Sequence, residues 1–272
     1  MEWTKEAQER IAKIPFFIRK RVKKRIEEEA RQGGAKVVAL NHIQSCQEKF
    51  LHQMEDEVKG YQVETCFGAS GCPNRAASSE ALAKKIEVKL AQRNMKAFLK
   101  EKAVGPLKFH HEFRVSLSDC PNACSCPQIV DIGLIGARKP QATKECPGNQ
   151  CAACVEICPE KAISLEQSEP YINQDNCLSC GKCIAVCQTE TLQESRQGFR
   201  IQIGGKLGRH PQLGRELPGI YSEEEVINII DQCLDYYQQN SSKGERLGEI
   251  LEQKGSDALF EKLMGGKKND GG

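Results

Sequence analysis

Twelve of the fifteen cysteines in this 272-residue chain fall into two groupings. One is Cys66-x5-Cys72 followed far downstream by Cys120-x3-Cys124. The other joins Cys146-x4-Cys151-x2-Cys154-x3-Cys158-Pro159 to Cys177-x2-Cys180-x2-Cys183-x3-Cys187. The second is very nearly a bacterial ferredoxin spacing, and the first is not a ferredoxin spacing at all. Three sets of four thiolates imply three 4Fe-4S clusters, and therefore a chain that moves electrons. Disulfides are the weaker reading, because these are tight local runs of the kind that wrap a cluster. Four cysteines can also close a tetrahedral zinc site, although zinc knuckles use shorter spacings. A plant-type 2Fe-2S centre through Cys146, Cys151 and Cys154 would strand the remaining thiols.

The chain opens Met1-Glu2-Trp3-Thr4-Lys5, with no apolar run of the kind a secretory signal needs, so reduced thiols in a cytoplasmic setting are expected. No stretch approaches the roughly 20 apolar residues of a membrane span. The densest, Ile129 to Ile135, is interrupted by Asp131 and Gly133. A net charge of +2 argues against nucleic acid as a partner.

Thr4 to Arg31 carries Ile11, Ile14, Phe17, Ile18, Val22 and Ile26 at helical intervals, with Pro15 expected to break or kink the helix. Its run Arg19 to Arg25 is either a docking surface for an acidic partner or polycarboxylate, or a solvated face balanced by Glu27, Glu28 and Glu29. A strand is expected over Lys36 to Ile43, and a helix capped by Ser78 running to Ala103. Strands are also expected at Phe113 to Leu117, Ile129 to Ile135 and Phe199 to Ile203. Residues 146 to 192 repeat with a shift of 29, so that Cys151, Cys154 and Cys158 fall on Cys180, Cys183 and Cys187, and Ala162-Ile163 falls on Thr191-Leu192. Cys146 is out of register. Ser222 and Glu225 form a capping box for a helix whose buried face includes Cys233. Residues 265 to 272 are too polar and glycine-rich to pack, and disorder is expected there.

The loop Cys66-Phe67-Gly68-Ala69-Ser70-Gly71-Cys72, paired with Val115-Ser116-Leu117-Ser118-Asp119-Cys120-Pro121-Asn122-Ala123-Cys124 and then Asp131-Ile132-Gly133-Leu134-Ile135-Gly136, resembles the cluster and siroheme region of sulfite and nitrite reductases. The ferredoxin-like insertion, followed by Gly204-Gly205-Lys206-Leu207-Gly208-Arg209-His210-Pro211, is similar to the dissimilatory branch. The resemblance covers roughly residues 61 to 240. It implies an α+β fold, with a sulfite reductase-like cluster and siroheme domain over residues 56–140 and 193–264. A two-cluster ferredoxin-like domain would be inserted at 141–192, after a small helical N-terminal domain at 1–55. Trp3, Glu6-Ala7, Ile14-Pro15 and the arginine-rich helix resemble, more weakly, the small C-terminal domain of the dark-operative protochlorophyllide reductase B subunit, which implies a role in contacting a partner or covering a substrate.

The resemblance further implies a siroheme sharing the Cys124 thiolate with a cluster, and six-electron reduction of a small anion, sulfite or nitrite, by a low-potential donor. Arg75, Arg114, Lys206 and Arg209 are candidates for binding the anion. Arg114, Arg138, Lys139, Gly204, Gly205, Lys206 and Arg209 are candidates for holding the siroheme. Each charge could equally be a surface one, and His110, His111 and His210 could be proton relays or structural. Full sulfite reductases contain two pseudo-repeated halves and this chain shows one, so a homodimer or hetero-oligomer is expected. Gln188 stands where a second Cys-Pro would be expected, and Cys46 and Cys126 lack a cluster partner. The rival reading is a non-catalytic electron-transfer or assembly subunit.

Overall fold

A computed structural model describes residues 1–143, 146, 151–166 and 169–265, apart from the side chains of His52, Gln53 and Ala69. The expected disorder over 266–272 lies outside the described residues. The chain divides into two compact units, Met1–Lys59 with Val104–His110, and Gly60–Ala103 with His111–Gly272. No helix among the described residues is long and apolar enough to cross a membrane.

In the first unit, strand β1 (Glu2–Trp3) pairs in parallel with β2 (Val37–Val38), beside helices α1 (Lys5–Ala12), α2 (Phe16–Gln32) and α3 (Leu40–Glu57). Trp3, Ala7, Ile11, Ile26, Ala30, Val38, Ile43 and Cys46 form the core. The helix expected over Thr4 to Arg31 is two helices. Pro15 stands just before α2, where its missing N–H leaves no bond unmade. Arg19 donates to Ala12 O at the end of α1 and to Ile14 O just beyond it. The strand expected over Lys36 to Ile43 is corrected to two residues, because Leu40, Ile43 and Cys46 belong to the helical pattern of α3.

The second unit is built on a five-stranded sheet of order β3-β4-β5-β8-β9. These strands are β3 (Tyr61–Thr65), β4 (Phe113–Ser118), β5 (Ile132–Ala142), β8 (Leu192–Ile203) and β9 (Arg215–Tyr221). The pairs β3–β4 and β4–β5 are parallel, and β5–β8 and β8–β9 are antiparallel. Alternation sends Phe113, Val115 and Leu117 to one face, in register with Ile132 and Leu134, which pair in turn with Ile203 and Ile201. Helices α4 (Glu80–Gln92), α5 (Met95–Lys102) and α8 (Glu223–Asn240) pack on this apolar side, with the Tyr237 ring 5.3 Å from Phe113 and 5.5 Å from Phe98. Lys89 and Arg93 of α4 and its C-cap each meet Asp231 of α8 at 2.6 Å. The single helix expected from Ser78 to Ala103 is broken by Asn94, whose φ of 48° is left-handed, and Ser79 rather than Ser78 is its N-cap. The Ser222–Glu225 capping box opens α8 as expected.

The exit strand begins at Ile132 rather than Ile129, because residues Pro127–Ile129 form a 3-10 turn. Strands β5 and β8 then run well past β4 as an antiparallel ribbon ending at the pair Ala142 and Leu192. This ribbon carries a cysteine-rich module with α6 (Ala153–Glu156), the hairpin β6 (Ile163–Glu166) and β7 (Glu169–Ile172), and α7 (Lys182–Val186). Two helices, α9 (Leu247–Lys254) and α10 (Asp257–Met264), close the described chain.

Asp131 ties these parts together. Its fully buried carboxylate accepts from Arg114 N at 2.8 Å, Leu247 N at 3.2 Å, and Arg246 Nη2 and Nε at 2.6 and 3.1 Å. Burial pulls the Arg246 pKa down, but the Asp131 charge and hydrogen bonds outweigh it and leave the value raised. Replacing Asp131 by alanine removes one partner of a buried pair and strands the other. We expect a loss of about 3–5 kcal/mol in urea unfolding, and a loss under about 1 kcal/mol would contradict this role.

Candidate metal centres

Because β3 and β4 are parallel neighbours, their carboxyl ends deliver Cys66 and Cys120 to the same edge of the sheet. Thr65 pairs with Leu117, and Cys66 N donates to Leu117 O at 2.9 Å. The Cys66 sulfur accepts from Gly68 N at 3.3 Å and Asp119 N at 3.2 Å. Such N–H groups stabilise a ligating thiolate. Gly68 must be bare, since a Cβ there would lie 2.2 Å from the Asp119 carboxylate. Asp119, itself buried, accepts Ser79 N at 3.1 Å on Oδ1, and its carbonyl takes Ala76 N at 2.8 Å and Ala77 N at 3.1 Å. The stretch after Cys72 is thereby held to the residue before Cys120.

The loop after Cys120 folds back over the polar face of β4. Ser116 Oγ donates to Ser125 O at 2.6 Å, Ser125 Oγ to Leu117 O at 2.8 Å, and Ala123 and Cys126 adopt left-handed φ values of 53° and 54°. Burial raises the Cys120 pKa and an Asn122 N–H lowers it, while Cys72, Cys124 and Cys66 raise it further. Cys120 is thus within electrostatic reach of the other three cysteines. Cys124 is exposed, unlike Cys120.

The other eight thiols divide between two cavities. One is lined by Cys158, Cys177, Cys180 and Cys183 with Pro140, Leu178 and Gly181. The other is lined by Cys146, Cys151, Cys154 and Cys187 with Pro170, Thr191 and Leu192. Each run gives three cysteines to one cavity and its last cysteine to the other, which is the crossing of two-cluster ferredoxins. Cys146, out of register in the repeat, nevertheless joins its cavity.

Electrostatics divide the thiols in the same way. Burial, then Cys180, Cys177 and Cys158, push Cys183 up to about 12. Cys154 is raised by burial and by Cys146 and Cys187. Ala162 N donates to the Cys158 sulfur and Leu192 N to the Cys187 sulfur, both at 3.3 Å, one bond from each copy of the repeat. Among the described residues no three His, Cys, Asp or Glu side chains converge tightly enough for a single ion. These thiols instead ring cavities, and thiolates that repel one another around a shared space fit a polynuclear cationic cluster.

The nominated basic residues are dispersed. Arg114 lies half-buried on the polar face of β4, and Arg75 is exposed. Arg138 and Lys139 lie on the ribbon instead. Arg138 Nε meets Glu194 at 2.5 Å and Lys139 is exposed. Lys206 is buried and paired with Glu249 at 3.1 Å, whereas Arg209 and His210 are exposed. A Cβ on Gly205 would lie 2.4 Å from Gln128 O, and Gly204 has φ +83°, so both glycines let this turn pack on the 127–130 segment. Cys46 and Cys233 are buried, the latter pushed up to about 12 by burial, and Cys126 is exposed.

Sequence reasoning missed two groups on this face. Asp119 stands in the quoted motif with no role of its own, although it is a carboxylate directly before the candidate ligand Cys120. The Arg200–Glu216 pair, with contacts of 2.6 and 2.8 Å, joins β8 to a strand that carried no recognised pattern. Beside it Gln202 donates to Glu216, while its Oε1 is buried with no hydrogen-bond partner among the described residues.

The profile described as Nitrite and sulphite reductase 4Fe-4S domain matches residues 59–269, and that of Proto-chlorophyllide reductase 57 kD subunit matches residues 3–46. The chain is 30% identical over 200 residues to the Coenzyme F420-dependent sulfite reductase of Methanocaldococcus jannaschii, a match covering 73% of this chain and 30% of that protein. It is 28% identical over 163 residues to the Sulfite reductase, dissimilatory-type subunit beta of Archaeoglobus fulgidus, covering 54% of this chain and 44% of that one. It thus spans less than half the length of either relative. The crystal structure of dissimilatory sulfite reductase I superposes with a TM-score of 0.53 at 20% identity, over 82% of this chain and 58% of that chain, which shows the expected α+β fold. The profile match over most of its length shows that the chain belongs to the nitrite and sulphite reductase 4Fe-4S domain family.

Proposed function

We propose that the chain is a siroheme- and iron-sulfur-dependent oxidoreductase that reduces sulfite, or nitrite, with electrons delivered through its ferredoxin-like module. The observation that carries this reading is the quartet Cys66, Cys72, Cys120 and Cys124 at the carboxyl ends of two parallel strands, with Cys124 exposed. Relatives named as sulfite reductases support it. Each of the three quartets would hold a 4Fe-4S cluster. Siroheme, when bound, supplies the iron at which an oxyanion is reduced, and Cys124 is the thiolate we assign to both groups.

The chain's own residues have distinct tasks in this reading. Half-buried Arg114 offers a planar fork for a carboxylate or an oxyanion, and exposed Arg75, Lys139 and Arg209 are assigned as further positive charge for these anions. The Lys206–Glu249 pair anchors the glycine turn that carries Arg209. Arg138 and Glu194 brace the ribbon leading to residues 141–192, which we assign as the ferredoxin domain. One half-repeat leaves a large flat macrocycle open on one side, so a second chain would complete the site, as a homodimer or hetero-oligomer. A reducing, cytoplasmic setting would keep twelve thiols available as ligands.

Anaerobically prepared, reconstituted protein should contain about twelve cluster irons and one siroheme iron per chain. Iron and labile-sulfide analysis giving only about four to eight cluster irons would overturn the three-quartet assignment. Cys124→Ser should disturb both the siroheme bands and the adjacent cluster, whereas Cys233→Ser should leave both in place. Unchanged spectra for Cys124→Ser would sink the shared-ligand role.

Because the chain spans less than half of these two sulfite reductase relatives, a non-catalytic electron-transfer subunit is the second reading. Reduced viologen separates the two. An enzyme should consume the dye on addition of sulfite or nitrite, and Arg114→Gln should lower turnover far more than iron content. No dye consumption, with both anions leaving the siroheme spectrum unaltered, would favour the electron-transfer subunit.

A further inference from the structure

We infer that the two ferredoxin-like quartets have fixed places in one electron path. Cys158, Cys177, Cys180 and Cys183 are the inner relay, beside the Cys66, Cys72, Cys120 and Cys124 centre. Cys146, Cys151, Cys154 and Cys187 are the outer relay, which passes electrons to the inner one. This deepens the proposed function and rests only on its iron–sulfur part.

Strand β5 acts as the ruler. At Gly136 it touches the sheet-side centre, since a Cβ there would lie 2.4 Å from the carbonyl of Asp119, the residue before Cys120. Two residues on, Arg138 N donates to Ser179 O at 2.6 Å, and Arg138 forms a parallel bridge with Cys180. Its side chain lies against Gly181, where a Cβ would come 2.9 Å from Arg138 Cβ. Pro140, two residues further, lines the cavity of the Cys180 quartet.

The other quartet is fastened to the far end of the ribbon. Ala142 pairs with Leu192, Thr143 N donates to Thr191 O at 2.9 Å, and Leu192 N donates to the Cys187 sulfur at 3.3 Å. Thr191 and Leu192 also line its cavity. At the rise of an extended strand, Gly136 is about 7 Å from Arg138 and about 20 Å from Ala142. Electron transfer between buried centres falls steeply with separation, so the sheet-side centre exchanges electrons with the inner quartet. Each hop oxidises the iron of one quartet by one electron and reduces that of the next by one.

Low-temperature electron paramagnetic resonance on fully reduced protein tests this order, because neighbouring reduced clusters broaden each other's signals. Cys151→Ala and Cys180→Ala should each remove about four irons. The sheet-side signal should stay broadened in Cys151→Ala and narrow to that of an isolated centre in Cys180→Ala. Narrowing in Cys151→Ala alone, or equal broadening in both variants, would overturn the assignment.

Should either cysteine variant lose the whole module, two milder changes decide the matter by redox titration. Arg138→Gln removes a cation beside Cys180, and Thr189→Val removes the hydroxyl 3.6 Å from the Cys187 sulfur. The reduction step that switches on the broadening should shift to lower potential in Arg138→Gln and stay in place in Thr189→Val. The reverse pattern, or a shift of that step in both or in neither, refutes the order. Absence of siroheme bands or of sulfite turnover would defeat the proposed activity while leaving this coupling pattern readable.

Discussion

Thiolates brought together repel one another and lose their water, so a fold that gathers four of them must hold them in place by force of its backbone. The raised pKa values of Cys120, Cys154 and Cys183 are due first to burial and then in part to neighbouring cysteines. A cationic cluster would relieve the repulsion, and peptide N–H groups directed at the sulfurs of Cys66, Cys158 and Cys187 suit ligating thiolates. Much of the second unit can be understood as the scaffold that this gathering requires.

The sheet divides the labour between its faces. Its apolar face, packed under α4, α5 and α8, supplies the burial that fixes the strands, with Phe113 and Tyr237 at its centre. The opposite face carries Arg114, Ser116, Ser118, Arg200 and Gln202, and the cysteine loop folds over it through Ser125. Asp131 belongs to both tasks. From the start of β5 its carboxylate holds the backbone of β4 and the first turn of α9, so the polar face is only as rigid as that buried pair with Arg246. The ribbon of β5 and β8 then extends the same strands into the module, which sets the spacing between the quartets by strand geometry rather than by a loop.

Reading residues in order identified the twelve ligand candidates, the repeat in the module, the capping box at Ser222 and the burial of Cys233, because each is carried by spacing or by short-range chemistry. Elements whose limits depend on distant packing were misjudged. The strand expected over Lys36 to Ile43 lost its apolar residues to α3, and the helix expected from Ser78 broke at Asn94, whose left-handed turn sets α5 against Tyr237. Among the basic residues, composition could not distinguish Lys206, buried against Glu249, from exposed Arg209 three positions on.

Sequence alone therefore determined which atoms are available for ligation, since a cysteine's chemistry travels with the residue and cluster loops need short local spacings. Only the tertiary structure decided the grouping. It sends Cys158 to the cavity of Cys177, Cys180 and Cys183, and Cys187 to that of Cys146, Cys151 and Cys154. It also places Asp119 between two cysteine loops more than 40 residues apart and Asp131 opposite Arg246, 115 residues away. The physical reason is that repulsion among thiolates, and the burial of a carboxylate with its arginine, act through space and are settled by strand register and packing, neither of which any local window of the chain contains.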